Sequence, residues 1–115
     1  MSGDWETWLV EDADCVIEKK VSLGVEALSP AERLFYCLWV ADYGMNNAGD
    51  LVTAADLYPT FQSEAAVLAR QLGLHATRVA FELPTQELED SYFERFDEVC
   101  REVANALASS ATGRA

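Results

Sequence analysis

Five carboxylates, Glu87, Asp90, Glu94, Asp97 and Glu98, recur at helical spacing near the end of a 115-residue chain. On a helix turning ~100° per residue they fall within an arc of about 100°, opposite Leu88, Tyr92, Phe93, Phe96, Val99, Cys100, Val103 and Leu107. At a rise of ~1.5 Å per residue they make a line about 16 Å long. That is roughly one charge per 4 Å, close to the ~3.4 Å per charge of a single DNA strand. A second acidic line, Asp4, Glu11, Asp14 and Glu18, runs along the N-terminal segment opposite Trp5, Leu9, Ala13, Val16 and Ile17. Such arrays can occupy the Lys and Arg groups with which a nucleic-acid-binding protein holds phosphate. They can equally be the solvated face that any amphipathic helix needs.

Other chemistry has less to work with. His75 is the only histidine, so one chain cannot assemble a histidine metal cluster or a histidine-based triad. Neighbouring carboxylates such as Glu89 and Asp90 could hold a divalent cation or act as an acid–base pair, but no metal-ligand spacing, glycine-rich phosphate loop or GxSxG elbow accompanies them. The expectation is a protein that is not an enzyme and uses no metal or cofactor. Cys15, Cys37 and Cys100 have no CxxC spacing. Cys37 and Cys100 fall on apolar arcs and read as small core residues, whereas Cys15 lies nearer the acidic side of its helix.

Twenty Asp and Glu against eight Lys and Arg leave a formal charge of −12. That balance repels nucleic acid and anionic membrane and favours encounter with basic partners. Half the residues are apolar, enough for a core, and the length fits a single domain over residues 1–115. No apolar run approaches the ~18 residues of a membrane span. The acidic start Met-Ser-Gly-Asp-Trp-Glu is unlike a signal peptide. A reducing cytoplasm is the expected compartment.

The elements that must position the stripes read as helices almost throughout. The first spans about Asp4 to Lys20, with Trp8 between its apolar and acidic arcs as a candidate anchor for a partner or a homodimer contact. Ser29, Pro30 and Glu32 form a capping box that opens a second helix of about 29–43. From Leu34 to Ala41 it is apolar all round, which places it at the centre of the fold. It is expected to stop at Gly44, with Gly44–Asp50 as a turn-rich loop in which Asn46, Asn47 and Gly49 either engage a ligand or, as punctuation, satisfy nearby backbone. A third helix runs from about Leu51 to Tyr58, and a fourth from Thr60 or Ser63 to Leu72 with Gly73 as its stop. The stretch from His75 to Leu83 suits a helix or a strand. Thr85 then caps the long acidic helix, which frays over about 109–115. The fold class is therefore all-α, five to six helices in one domain.

Leu28-Ser-Pro-Ala-Glu-Arg-Leu-Phe-Tyr36, followed by Tyr43-Gly-Met-Asn-Asn-Ala-Gly49, resembles a bacterial DNA-mimic-protein-like family of small, acidic, all-helical proteins. That family is catalogued mostly as a domain of unknown function and includes a Neisseria-type DNA mimic. Asn46, Asn47 and Gly49 match its loop signature. Gly44 stands where the family has an acidic residue, Ala48 where it has glycine, and Asp50 and Val52 where it has an aromatic residue and glutamine. The resemblance implies a helical acidic protein of a kind that, in at least one member, binds a transcription factor in place of DNA. Three functions of different kinds follow. The leading one is a modulator of a basic DNA-binding protein, the second an immunity protein that plugs a basic toxin such as a nuclease, and the third a carboxylate-based metal-dependent enzyme.

Overall fold

Ser29 and Glu32 close the capping box at the start of the central helix. The Ser29 hydroxyl accepts from the Glu32 N–H at 3.1 Å, and the Glu32 carboxylate accepts from the Ser29 N–H at 2.9 Å. With Pro30 in the first turn the helix is pre-organised where its free N–H groups need partners. The computed structural model describes the backbone of residues 2–113 and the side chains of residues 5–24 and 26–109. Its elements are α1 (Ser2–Leu23), a single 3-10 turn (Val25–Ala27), α2 (Pro30–Ala48), α3 (Val52–Leu57), α4 (Phe61–Leu72), α5 (His75–Glu82) and α6 (Thr85–Gly113). These six helices form one compact globule with a radius of gyration of 13.0 Å, and there is no strand among the described residues. Nor is any described helix long and apolar enough to cross a membrane.

The apolar run of α2 does what its pattern requires. Leu34, Phe35, Cys37, Leu38, Val40 and Ala41 are all buried, and α2 packs against α1, α3, α4 and α6. Burial pushes the Cys37 thiol up to about 12, so it stays protonated as a core residue. Cys100 is buried on α6, its thiol likewise pushed up by burial, and Cys15 is exposed.

Three details depart from the sequence pattern or settle what it left open. First, α2 does not stop at Gly44 but continues to Ala48, so the expected loop is the helix's last turn. Gly44 is buried where α3 crosses, and a Cβ there would lie 3.0 Å from both Ala54 N and Asp50 O. The glycine marks close approach, not termination. The stop is Gly49, which takes a left-handed conformation (φ 74°) and returns its N–H to Met45 O. Second, His75–Glu82 is helical. Third, α6 starts at Thr85 without using that side chain as a cap. Its hydroxyl bonds Gln62 Oε1 at 3.0 Å, while the Leu88 N–H reaches Pro84 O. α6 is helical to Gly113; residues 114 and 115 of the expected tail lie outside the described ones.

The Gly44 contact carries a prediction. Alanine is worth ~1 kcal/mol more than glycine inside a helix, but here its methyl group meets backbone atoms that cannot rotate away. Gly44→Ala is expected to lose about 1–2 kcal/mol net through overpacking. Urea denaturation reads the sign directly, and a stabilised variant would remove the close-approach explanation.

Candidate functional site

On α1, Glu11, Asp14 and Glu18 are exposed, on the face opposite buried Leu9, Ala13 and Val16. The side chain of Asp4 lies outside the described residues. On α6, Glu87, Asp90, Glu94 and Glu98 are exposed, opposite buried Leu88, Tyr92, Phe96, Val99 and Val103. Asp97 is only half-buried, and its Oδ1 is enclosed without a hydrogen-bond partner. With burial, its charge helps to raise the Cys100 thiol one turn further along α6. Because α1 and α6 pack against each other, the two stripes sit on neighbouring helices, each on the side its own core residues leave open. Arg101, which the stripe pattern did not take into account, is exposed within the same arc of α6 and breaks the line at its C-terminal end.

Four of the described cations are occupied away from the stripes. Lys19 bonds Glu32 at 2.8 Å, and Arg70 and Arg78 both approach Glu82, at 3.0 and 3.7 Å. Lys20 sits 5.0 Å from the centre of the Tyr36 ring. Burial works against the charged form of Glu32, but the Lys19 and Ser29 hydrogen bonds outweigh it and hold that carboxyl below its ordinary value. Within the stripes, Asp90 accepts from the Gln86 amide one turn earlier at 3.2 Å.

Several acids that pattern reading grouped with the general excess have specific bonds. Glu102 accepts from Ala76 N, Thr77 N and Thr77 Oγ1 at 3.0, 2.8 and 2.7 Å, supplying from α6 the N-terminal acceptors that α5 lacks locally. Glu89 accepts from Leu51 N at 2.8 Å, at the start of α3. Glu64 accepts from the Tyr58 and Thr60 hydroxyls at 2.6 and 2.7 Å. No local spacing signals the Glu102 and Glu89 contacts, because their partners lie 25 to 38 residues away.

Asn46, Asn47 and Gly49, the candidate motif, lie at the C-terminal end of α2. Both asparagines are exposed, but their amides fold back onto carbonyls four residues earlier, Asp42 O at 3.0 Å and Tyr43 O at 2.8 Å. Trp8 is half-buried, edge-on to Phe35 with ring centres 5.1 Å apart, which makes it a core-edge residue. His75 is exposed beside a shallow cleft of about 170 Å³ that Arg70 and Arg78 also line. Among the described residues no group of three or more His, Cys, Asp or Glu side chains is placed to hold a metal ion.

No protein-family model, curated protein or solved structure matches this chain.

Proposed function

We propose that this is a non-enzymatic acidic binding protein whose two stripes engage the phosphate-binding groups of a basic DNA-binding protein, competing with DNA. One observation carries the reading. Glu11, Asp14, Glu18, Glu87, Glu94 and Glu98 are exposed in ordered lines, while Lys19, Arg70 and Arg78 pair with Glu32 and Glu82 away from them. Carboxylates placed this way retain their field for a partner, and a field of one sign steers encounter with the opposite sign. The resemblance at Leu28–Gly49 points the same way. A reducing cytoplasm suits such a partner.

The test is capture from the native host's lysate at low salt and elution with a salt gradient, followed by competition of the captured protein with DNA. Raising salt from about 50 to 500 mM is expected to slow association at least tenfold, as the Debye length contracts to a few ångströms. The variant Glu87→Gln/Asp90→Asn/Glu94→Gln/Glu98→Gln should lose most of that dependence and most of the affinity. Association indifferent to salt, or a partner that holds DNA and this chain together, defeats the proposal. Capture of a toxic nuclease, with its basic cleft plugged, would favour the immunity reading instead.

A further inference from the structure

The corner between α4 and α5 gathers positive charge in a chain that has little of it. Arg70 lies in the last turn of α4, Gly73 closes that helix in a left-handed conformation (φ 73°), and His75 and Arg78 follow early in α5. Two of the eight Lys and Arg residues and the only histidine thus line one cleft of about 170 Å³. Among the described residues no acidic side chain lines it. Arg70 and His75 are exposed and the Arg78 side chain is half-buried, so solvent reaches all three.

The chain satisfies the two guanidinium groups only in part. Glu82 Oε2 accepts from Arg70 Nη2 at 3.0 Å and lies 3.7 Å from Arg78 Nε, too far for a hydrogen bond. Arg78 Nε is enclosed and has no hydrogen-bond partner among the described residues. One carboxylate oxygen therefore serves two cations, and most donors of their planar forks find no acceptor among the described residues. Glu102 already holds the Ala76 and Thr77 N–H groups, so those backbone donors are taken. Recognition at this cleft falls to side chains.

Two guanidinium groups, an imidazole and a wall without acids suit an anion that presents several oxygens. A monocarboxylate would only repeat what Glu82 offers from 3.0 Å away, with the advantage of belonging to the same chain. A phosphate dianion carries more charge and spans both forks with charge-assisted bonds. We propose that the α4–α5 cleft binds a phosphate dianion, free or as the monoester of a small organic molecule. Arg70, Arg78 and His75 hold it, and Glu82 is the internal competitor that it displaces from the arginines. The stripe acids do not line this cleft, and the assignment does not depend on the acidic-interface reading.

Because His75 is the only histidine, its ring C–H signals report on the cleft without ambiguity. The full chain is titrated with sodium phosphate at about pH 8, where phosphate is dianionic, and followed by proton–carbon NMR at an ionic strength held constant with sodium chloride. The His75 signals should move and saturate with phosphate, and stay in place with chloride or acetate. Arg70→Gln and Arg78→Gln should each weaken binding about tenfold, the loss expected when a charge-assisted hydrogen bond is removed. Glu82→Gln should bind several-fold more tightly, an effect that a merely structural role for the arginines does not produce. A sugar phosphate that outbinds inorganic phosphate would identify the ester as the ligand, and equal affinities the free anion. A shift that does not saturate, an equal shift with chloride, or wild-type affinity in both arginine variants overturns the site, as does a Glu82→Gln protein that binds no more tightly. The Arg70 side chain is 68% exposed, so Arg70→Gln decides the matter by itself should Arg78→Gln fail to fold. No basic protein enters the titration, so its outcome is separate from that of the acidic-interface proposal.

Discussion

Glu102→Ala is expected to destabilise the protein by about 3 kcal/mol or more. The carboxylate satisfies two backbone N–H groups and a hydroxyl at the start of α5, and Thr77, which provides two of those three donors, is 0% exposed. Removing the acceptor leaves buried donors unpaired, at about 1–3 kcal/mol each when no water can replace it. The loss of negative charge from a helix N-terminus adds up to ~1 kcal/mol. Glu98→Ala, one turn earlier on the exposed side of the same helix, serves as the control and should stay within about 0.5 kcal/mol. Urea midpoints compare the two, and hydrogen exchange should show the Glu102→Ala loss starting in α5. Equal effects from the two substitutions would mean that Glu102 is another surface acid and that α5 is held by packing alone.

Glu102 also shows where sequence reading stops. The residues from His75 to Leu83 suited a helix or a strand because no local residue completes a cap at Leu74, and the acceptors come from a segment 25 and 26 residues later. The apolar run of α2 was legible because burial all round a helix leaves a signature in consecutive residues. The Ser29–Glu32 box was legible because both of its partners are local. Gly44 misled for a related reason: a glycine that ends a helix and one that admits a crossing helix look alike until α3 is in place. The stripes themselves were readable from periodicity, but the enclosure of one Asp97 oxygen and the burial of Asp42 depend on which helices become neighbours.

The acidic excess therefore divides by position. Glu32, Glu89 and Glu102 bond backbone N–H groups at helix N-termini, where negative charge is favourable. Glu82 gathers Arg70 and Arg78. Among the described residues Glu11, Asp14, Glu18, Glu87, Glu94 and Glu98 take no part in these ion pairs, and they add self-repulsion to the folded state. A fold that carries this repulsion depends more heavily on its apolar contacts, and the greatest concentration of those lies around α2.

Phe35→Ala is accordingly expected to cost about 3–5 kcal/mol, the usual range for removing a buried aromatic side chain. Phe35 is 1% exposed and receives the Trp8 ring edge-on at 5.1 Å, so the substitution both opens a cavity in the core and removes a ring contact worth ~0.5–1.5 kcal/mol. Against a total stability of about 5–15 kcal/mol for a domain of this size, the variant should lie close to the unfolding threshold at 37 °C. Phe35→Leu retains most of the volume and should lose less than half as much. The loss should also be uneven. Trp8 ties α1 to α2, so its fluorescence should shift to the red in Phe35→Ala at denaturant concentrations where α4 and α6 keep their helical signal. A single cooperative transition, with Trp8 and helicity lost together, would show that α1 is bound into the core as tightly as α2, and that its attachment has no separate stability to lose.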